Sequence, residues 1–142
     1  MPVSAEGVDP DGAMALPPTP FRAGWYRYGP HPLDPSGATV IAGHVDTAED
    51  GAGPLADLSA LRPGDLVEVR AGQRIVRYRV EEILLVEKRG LDTASLFSRA
   101  GPARLHLVTC GGAYLPDAGG YQDNVVVIAE RLTRPADGRP DG

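Results

Sequence analysis

The chain has 142 residues, enough for one domain with a single core. A formal net charge of -5, with its arginines scattered, excludes the clustered basic surface that a nucleic-acid backbone needs. One cysteine excludes an internal disulfide and a cysteine-rich zinc site, leaving Cys110, His31, His44 and His106 as the soft ligands. The first 20 residues, rich in Pro, Gly and Asp, read as an irregular segment with turns at Asp9-Pro10 and Asp11-Gly12. They have neither a basic leader nor an apolar run of membrane-spanning length, so the expectation is a cytosolic protein or a trimmed or mis-started form.

Phe21–Pro30 concentrates aromatics, and Trp25 reads as core with one edge at the surface. Thr39–Gly43 is a short apolar, β-branched run, predicted as a buried strand that ends at His44. Thr47–Pro54 is a loop, Leu55–Leu61 one or two helical turns, and Arg62–Asp65 a turn. Leu66–Arg70 and Arg74–Glu87 read as strands, with Val67 and Val69 on one face of the first. Arg89–Gly101 reads as a loop with a short helix around Thr93–Phe97, N-capped by Asp92. Arg104–Cys110 is a strand, Gly111–Gly120 a Gly/Asp/Pro loop, Asn124–Leu132 the last strand and 133–142 a frayed polar tail. At least five strands, little helix and regular turns predict an all-β barrel or sandwich, with 21–132 as its body.

Cys110 is the residue with chemistry to explain. A lone cysteine is most often a small buried hydrophobe. Here it closes a strand and is followed by Gly111-Gly112, which let a substrate backbone approach and leave N–H groups for an oxyanion. An ordinary thiol is only a few per cent thiolate near neutrality and needs a base. His106 lies four residues back on the same strand, about 13 Å away, too far for a hydrogen bond. His31 sits between two prolines in a loop. His44 ends its own strand after a glycine, so adjacent strand ends would bring it to Cys110. Ala42 shares parity with His44, and Val108 with Cys110, which gives a small apolar floor or simply core.

Ile41-Ala42-Gly43-His44 and Leu107-Val108-Thr109-Cys110, in this order and separation, resemble the sortase family of cysteine transpeptidases. Gly24–Pro30 and Tyr121–Val127 look like its actinobacterial class E or F branch, and the resemblance runs from about Gly7 to Leu132. It implies a closed β-barrel of about eight strands with one or two short helices. It implies cleavage of a Leu-Pro-x-Thr-Gly-like sorting signal between Thr and Gly, through a thioacyl enzyme on Cys110, with His44 protonating the leaving amine. An amine acceptor on cell wall or pilin, or water, would then resolve the intermediate. Ala42, Val108, Thr109 and Gly111 would bind the signal, and Lys88–Gly101 would wall the groove. The implied partners are sorting-signal peptides of secreted proteins at the cell surface, with no metal, cofactor or nucleic acid.

Two positions depart from that pattern. The family's arginine at the start of the last strand is Gln122 here, which donates hydrogen bonds but carries no charge. Losing one oxyanion donor typically costs about 10²–10³ in rate. Arg131 and Arg104 lie about 30 and 20 Å from the site if extended, leaving Arg27, Arg89 and Arg99 in loops. The alternative reading is therefore a catalytically impaired module that binds sorting peptides or a partner. A generic barrel with a core cysteine is a third reading. The membrane anchor and first strand of the family have no counterpart before Gly7, which predicts an exposed sheet edge. Asp46, two residues after His44, could orient it, but aspartates in such loops are more often turn formers and it stays outside the site.

Overall fold

The computed structural model describes residues 1–10, 12–118 and 120–132. A curled sheet of seven strands makes up most of it: β1 (Val3–Glu6), β2 (Ala23–Tyr26), β3 (Ala38–Ala42), β6 (Leu66–Ala71), β7 (Arg74–Glu87), β8 (Arg104–Leu115) and β9 (Gly120–Arg131). Two two-residue strands, β4 (Asp46–Thr47) and β5 (Gly51–Ala52), pair with each other beside it. The sheet order is β1-β2-β3-β8-β9-β7-β6. The β1–β2 and β3–β8 pairs are parallel and the others antiparallel. This is the all-β, barrel-like architecture of the sequence reading. The sheet ends on β1 and β6, and a cavity of about 410 Å³ lined by Val3, Val69, Ile41, Leu55 and Leu107 opens between these two edges.

Alternation along each strand divides the apolar residues between two cores. In β7, Val76, Tyr78 and Val80 are buried while Arg77 and Arg79 between them are exposed. They join Ile41, Leu105, Leu107, Val125, Val127 and Ala129 inside the curl. Tyr78 is pushed up to about 12 by that burial, partly countered by Arg131 and a hydrogen bond with Thr39. The opposite face of β3, β8 and β9 carries Val40, Ala42, Val108 and Val126, and these form a second core under Leu96 and Phe97. Strands β3, β8 and β9 thus bury apolar side chains on both faces, which is why their sequences read as near-continuous hydrophobic runs.

The expected helix is α1 (Thr93–Leu96), and the Asp92 carboxylate accepts from Ser95 N–H and Ser95 Oγ as its N-cap. Pro54–Ala60 forms the helical turns expected after Thr47–Pro54, in 3-10 geometry. Three features differ from the sequence reading. Val3–Glu6, inside the segment read as irregular, is a strand held by parallel pairing with β2. Strands β8 and β9 run past Cys110 into the glycine-rich stretch read as a loop, and join through a 3-10 turn at Pro116–Ala118. Asp46–Thr47 and Gly51–Ala52 pair within the loop expected from Thr47 onward. The tail from 133 to 142 lies outside the described residues. Among the described residues no helix is long and apolar enough to cross a membrane.

Candidate active site

The ends of β3 and β8 set the geometry. Their parallel register pairs Ile41 with Leu107 and Ala42 with Val108. It continues one residue further, because Gly43 N–H donates to Val108 O at 3.1 Å and Thr109 Oγ1 donates to Gly43 O at 2.8 Å. His44 follows Gly43 directly, one residue past the last bonded position on β3, and Cys110 follows Thr109 in β8, so both lie at the same end of the β3–β8 pair. Both are partly buried. Among the described residues no hydrogen bond joins the thiol to the imidazole, and such contacts are commonly long in a free enzyme and tighten with substrate.

On its other side Cys110 pairs with Asn124 of β9, and Gly111 with Asp123. The register then shifts before Tyr114, which pairs with Tyr121. Gly112 lies in this shift with φ +73°, and a Cβ there would run into the Asp123 carboxylate. Gln122 falls in the same shift, two residues and about 7 Å along β9 from Asn124. Its Nε2 donates to Gly120 O at 2.8 Å, and it lines a small cleft with Glu87, Lys88 and Asp123.

Beneath the pair the floor is apolar. Ala42 is 8% exposed and Val108 9%, both covered by the second core. The open space on this face lies further along, a cavity of about 200 Å³ between Gly90–Leu96 and the sheet, lined by Leu84, Val86, His106, Val126 and Ile128. Residues of the Lys88–Gly101 segment wall this cavity, whose lining does not include Ala42 or Val108. Thr109 is 3% exposed with its hydroxyl committed to Gly43, so it supports the site from below.

The other candidates lie elsewhere. His106 is buried in the cavity wall with Nδ1 2.8 Å from Leu96 O. A carbonyl only accepts, so Nδ1 carries the proton. Burial pulls this imidazole below its usual value, with the Leu96 bond opposing. His31 accepts Leu33 N–H through Nδ1 and meets the Trp25 ring edge-on at 5.3 Å. Arg131 donates to Pro32 O and Asp34 O, and Arg104 to Ala100 O and Pro102 O. Arg27 donates to the Tyr28 hydroxyl, and Arg99 is exposed. The Arg89 side chain is outside what is described. Among the described residues no group of three His, Cys, Asp or Glu is arranged to hold a metal.

One contact was not legible from the sequence. The Tyr121 hydroxyl donates to Asp46 Oδ2 at 2.7 Å, joining the segment after His44 to β9 across 75 positions. The Asp46 bond, burial and the neighbouring charges of Asp46, Tyr114 and Cys110 all raise the Tyr121 phenol above its usual value.

Comparison with known proteins bears on this arrangement. A family model described as the sortase domain matches residues 3–132. Sortase C of Streptococcus pneumoniae is 19% identical with a TM-score of 0.62, over 80% of this chain and 54% of that one. Sortase C-1 of Actinomyces oris is 26% identical with a TM-score of 0.61, over 78% and 58%. The SrtA sortase of Actinomyces oris is 22% identical with a TM-score of 0.61, over 84% and 67%. The chain thus spans a little over half the length of the first two structures. No curated protein matches it.

Proposed function

The chain belongs to the sortase family, and from that premise we propose that it is a cysteine transpeptidase acting on a Leu-Pro-x-Thr-Gly-like sorting signal. The observation that supports this reading is the parallel β3–β8 pair, whose last bonded positions, Gly43 and Thr109, directly precede His44 and Cys110 in the chain. The Cys110 thiolate attacks the Thr carbonyl carbon and forms the C–S bond. The tetrahedral intermediate collapses as the C–N bond breaks, and His44 gives its proton to the leaving Gly amine. An acceptor amine, on cell wall or pilin, or water then attacks the thioacyl carbon, and His44 takes the proton back. Gln122 stands at the family's arginine position and supplies an uncharged donor. In this reading Ala42 and Val108 give the apolar floor, Thr109 braces Gly43 from below, and Gly111 lies at the mouth next to Cys110. The same proposal takes residues 21–132 as the catalytic body, a class E or F-like member as the subtype and the cell surface as the place of action.

A second reading has its own observation. Gln122 Nε2 donates to Gly120 O on its own strand, and an amide held there leaves the oxyanion without a charged partner. That favours a sortase-like module that binds sorting peptides or a partner with impaired chemistry.

Intact-protein mass spectrometry after incubation with a Leu-Pro-x-Thr-Gly peptide separates the two. The transpeptidase reading expects an acyl adduct on the native protein that is absent from Cys110→Ala. An adduct seen only with Gln122→Arg supports the impaired module. No adduct with either protein sinks both as readings of this peptide class.

A further inference from the structure

The backbone around His44 is tied down on both sides. Before it, Gly43 is bound twice to β8, by its N–H to Val108 O and by its carbonyl to Thr109 Oγ1. After it, Asp46 is bound to β9 by the Tyr121 hydroxyl at 2.7 Å. Only Val45 separates His44 from Asp46. The short hairpin that Asp46 begins is closed at its base by Gly53 N–H donating to Val45 O, and its strands pair Asp46 with Ala52. Tyr121 is in turn held by an edge-on contact with Tyr114, 4.9 Å between ring centres, on the strand that carries Cys110. Tyr121 therefore connects the His44 segment to the strand pair that presents Cys110, and its phenol lies within electrostatic reach of that thiol.

We propose that Tyr121 and Asp46 are a positioning pair that fixes where His44 stands relative to Cys110. This rests on the transpeptidase reading for its substrate, though not for its geometry. Without the Tyr121–Asp46 bond, the segment after His44 keeps the Gly43 tether on one side and only its own hairpin closure, Gly53 N–H to Val45 O, on the other, so the imidazole can shift from the thiol without loss of fold. A phenol donating to a carboxylate is a short, charge-assisted bond, and misplacing a catalytic group by about 1 Å can cost about 10²-fold in rate. The pair touches neither the reacting carbonyl nor the leaving amine in this account, and acts only through His44.

The test uses Tyr121→Phe, Asp46→Ala and Asp46→Asn in the full chain, each with its melting temperature. Two rates are measured: single-turnover acylation of Cys110 by the sorting peptide, and alkylation of Cys110 by iodoacetamide as a function of pH. His44→Ala provides the alkylation profile of a thiol without its partner. Tyr121→Phe is expected to lower acylation about 10- to 100-fold at unchanged peptide concentration dependence. It should also move the alkylation profile toward that of His44→Ala. Asp46→Asn, whose amide oxygen still accepts from the phenol, loses less than Asp46→Ala. Alkylation profiles of Tyr121→Phe and Asp46→Ala that match the native one overturn the proposal, as does a native profile unchanged by His44→Ala. A native protein that alkylates in this coupled way but is never acylated by the peptide leaves the positioning pair standing and removes the substrate reading.

Discussion

Thr109 Oγ1 donates to Gly43 O at 2.8 Å across the parallel β3–β8 pair, one residue short of both His44 and Cys110. It is a side-chain bond beside the last backbone bond of that pair, Gly43 N–H to Val108 O, and both partners are buried. Thr109→Val keeps the shape and removes the donor, leaving the Gly43 carbonyl unsatisfied. The expected cost is about 1–2 kcal/mol in urea unfolding, and Thr109→Ser should recover most of it. Peptide acylation should fall further than the lost stability accounts for, because the residue displaced is the one before His44.

Gln122→Arg tests the proposed match of this position to the family's arginine by placing a positive charge near the start of β9. The position lies in the register shift between Asp123 and Tyr121, near the strand partner of Cys110. A guanidinium there is expected to speed acylation, by up to about 10²-fold if it serves as one oxyanion donor. Quenched-flow or timed mass spectrometry reads the rate. A variant that folds and acylates no faster than the native chain would show that charge at this position is not what limits the chemistry.

The two strands that carry the candidate site were legible as strands. Thr39–Gly43 and Arg104–Cys110 announce themselves by β-branched and apolar runs, and strand ends are where such sheets expose groups. Their adjacency was only supposed and their parallel direction was not read at all, since no local pattern states which strand lies beside which. Val3–Glu6 was not legible, because its alternation lasts only four residues beside Pro and Gly turn signals, and its strand conformation comes from pairing with β2. The continuation of β8 and β9 through Gly111–Leu115 and Gly120–Asp123 was hidden by glycines. It is held instead by cross-strand pairing and the Tyr114–Tyr121 contact. Asp46 looked like a turn former, and its partner lies 75 positions away.

Acid should loosen the wall over the cavity through His106. Burial holds its imidazole below the ordinary value of 6.5, against the opposing Leu96 bond, and Arg104 adds in the same direction as burial. The folded state therefore favours the neutral ring, and the unfolded chain takes up the proton first as pH falls. This contribution is whole above about pH 6.5 and is lost as pH drops through the lower folded value. His106→Gln should show a shallower fall in urea midpoint between about pH 7 and pH 5 than the native protein. His31 and His44 are the same in both proteins, so the difference belongs to His106. Parallel curves for the two would contradict this assignment.

Gly112 and Gly72 offer a matched comparison for the turn that follows Cys110. Both have positive φ, +73° and +65°, so alanine strains the backbone at either position. At Gly72, in the β6–β7 turn, nothing lies within 4 Å of the added Cβ. At Gly112 the Cβ meets the carboxylate of Asp123, whose backbone pairs with Gly111. Gly72→Ala should therefore cost only the conformational strain, of order 1 kcal/mol. Gly112→Ala should cost more, about 2–3 kcal/mol, because either the bulge or Asp123 must move. The backbone that moves includes Gly111, next to the thiol, so acylation of Cys110 should drop in Gly112→Ala and stay at the native rate in Gly72→Ala. Equal stability losses and equal acylation in the two variants would mean that Asp123 yields without disturbing the strand. The glycine after Gly111 would then serve the backbone turn alone and not the placement of Cys110.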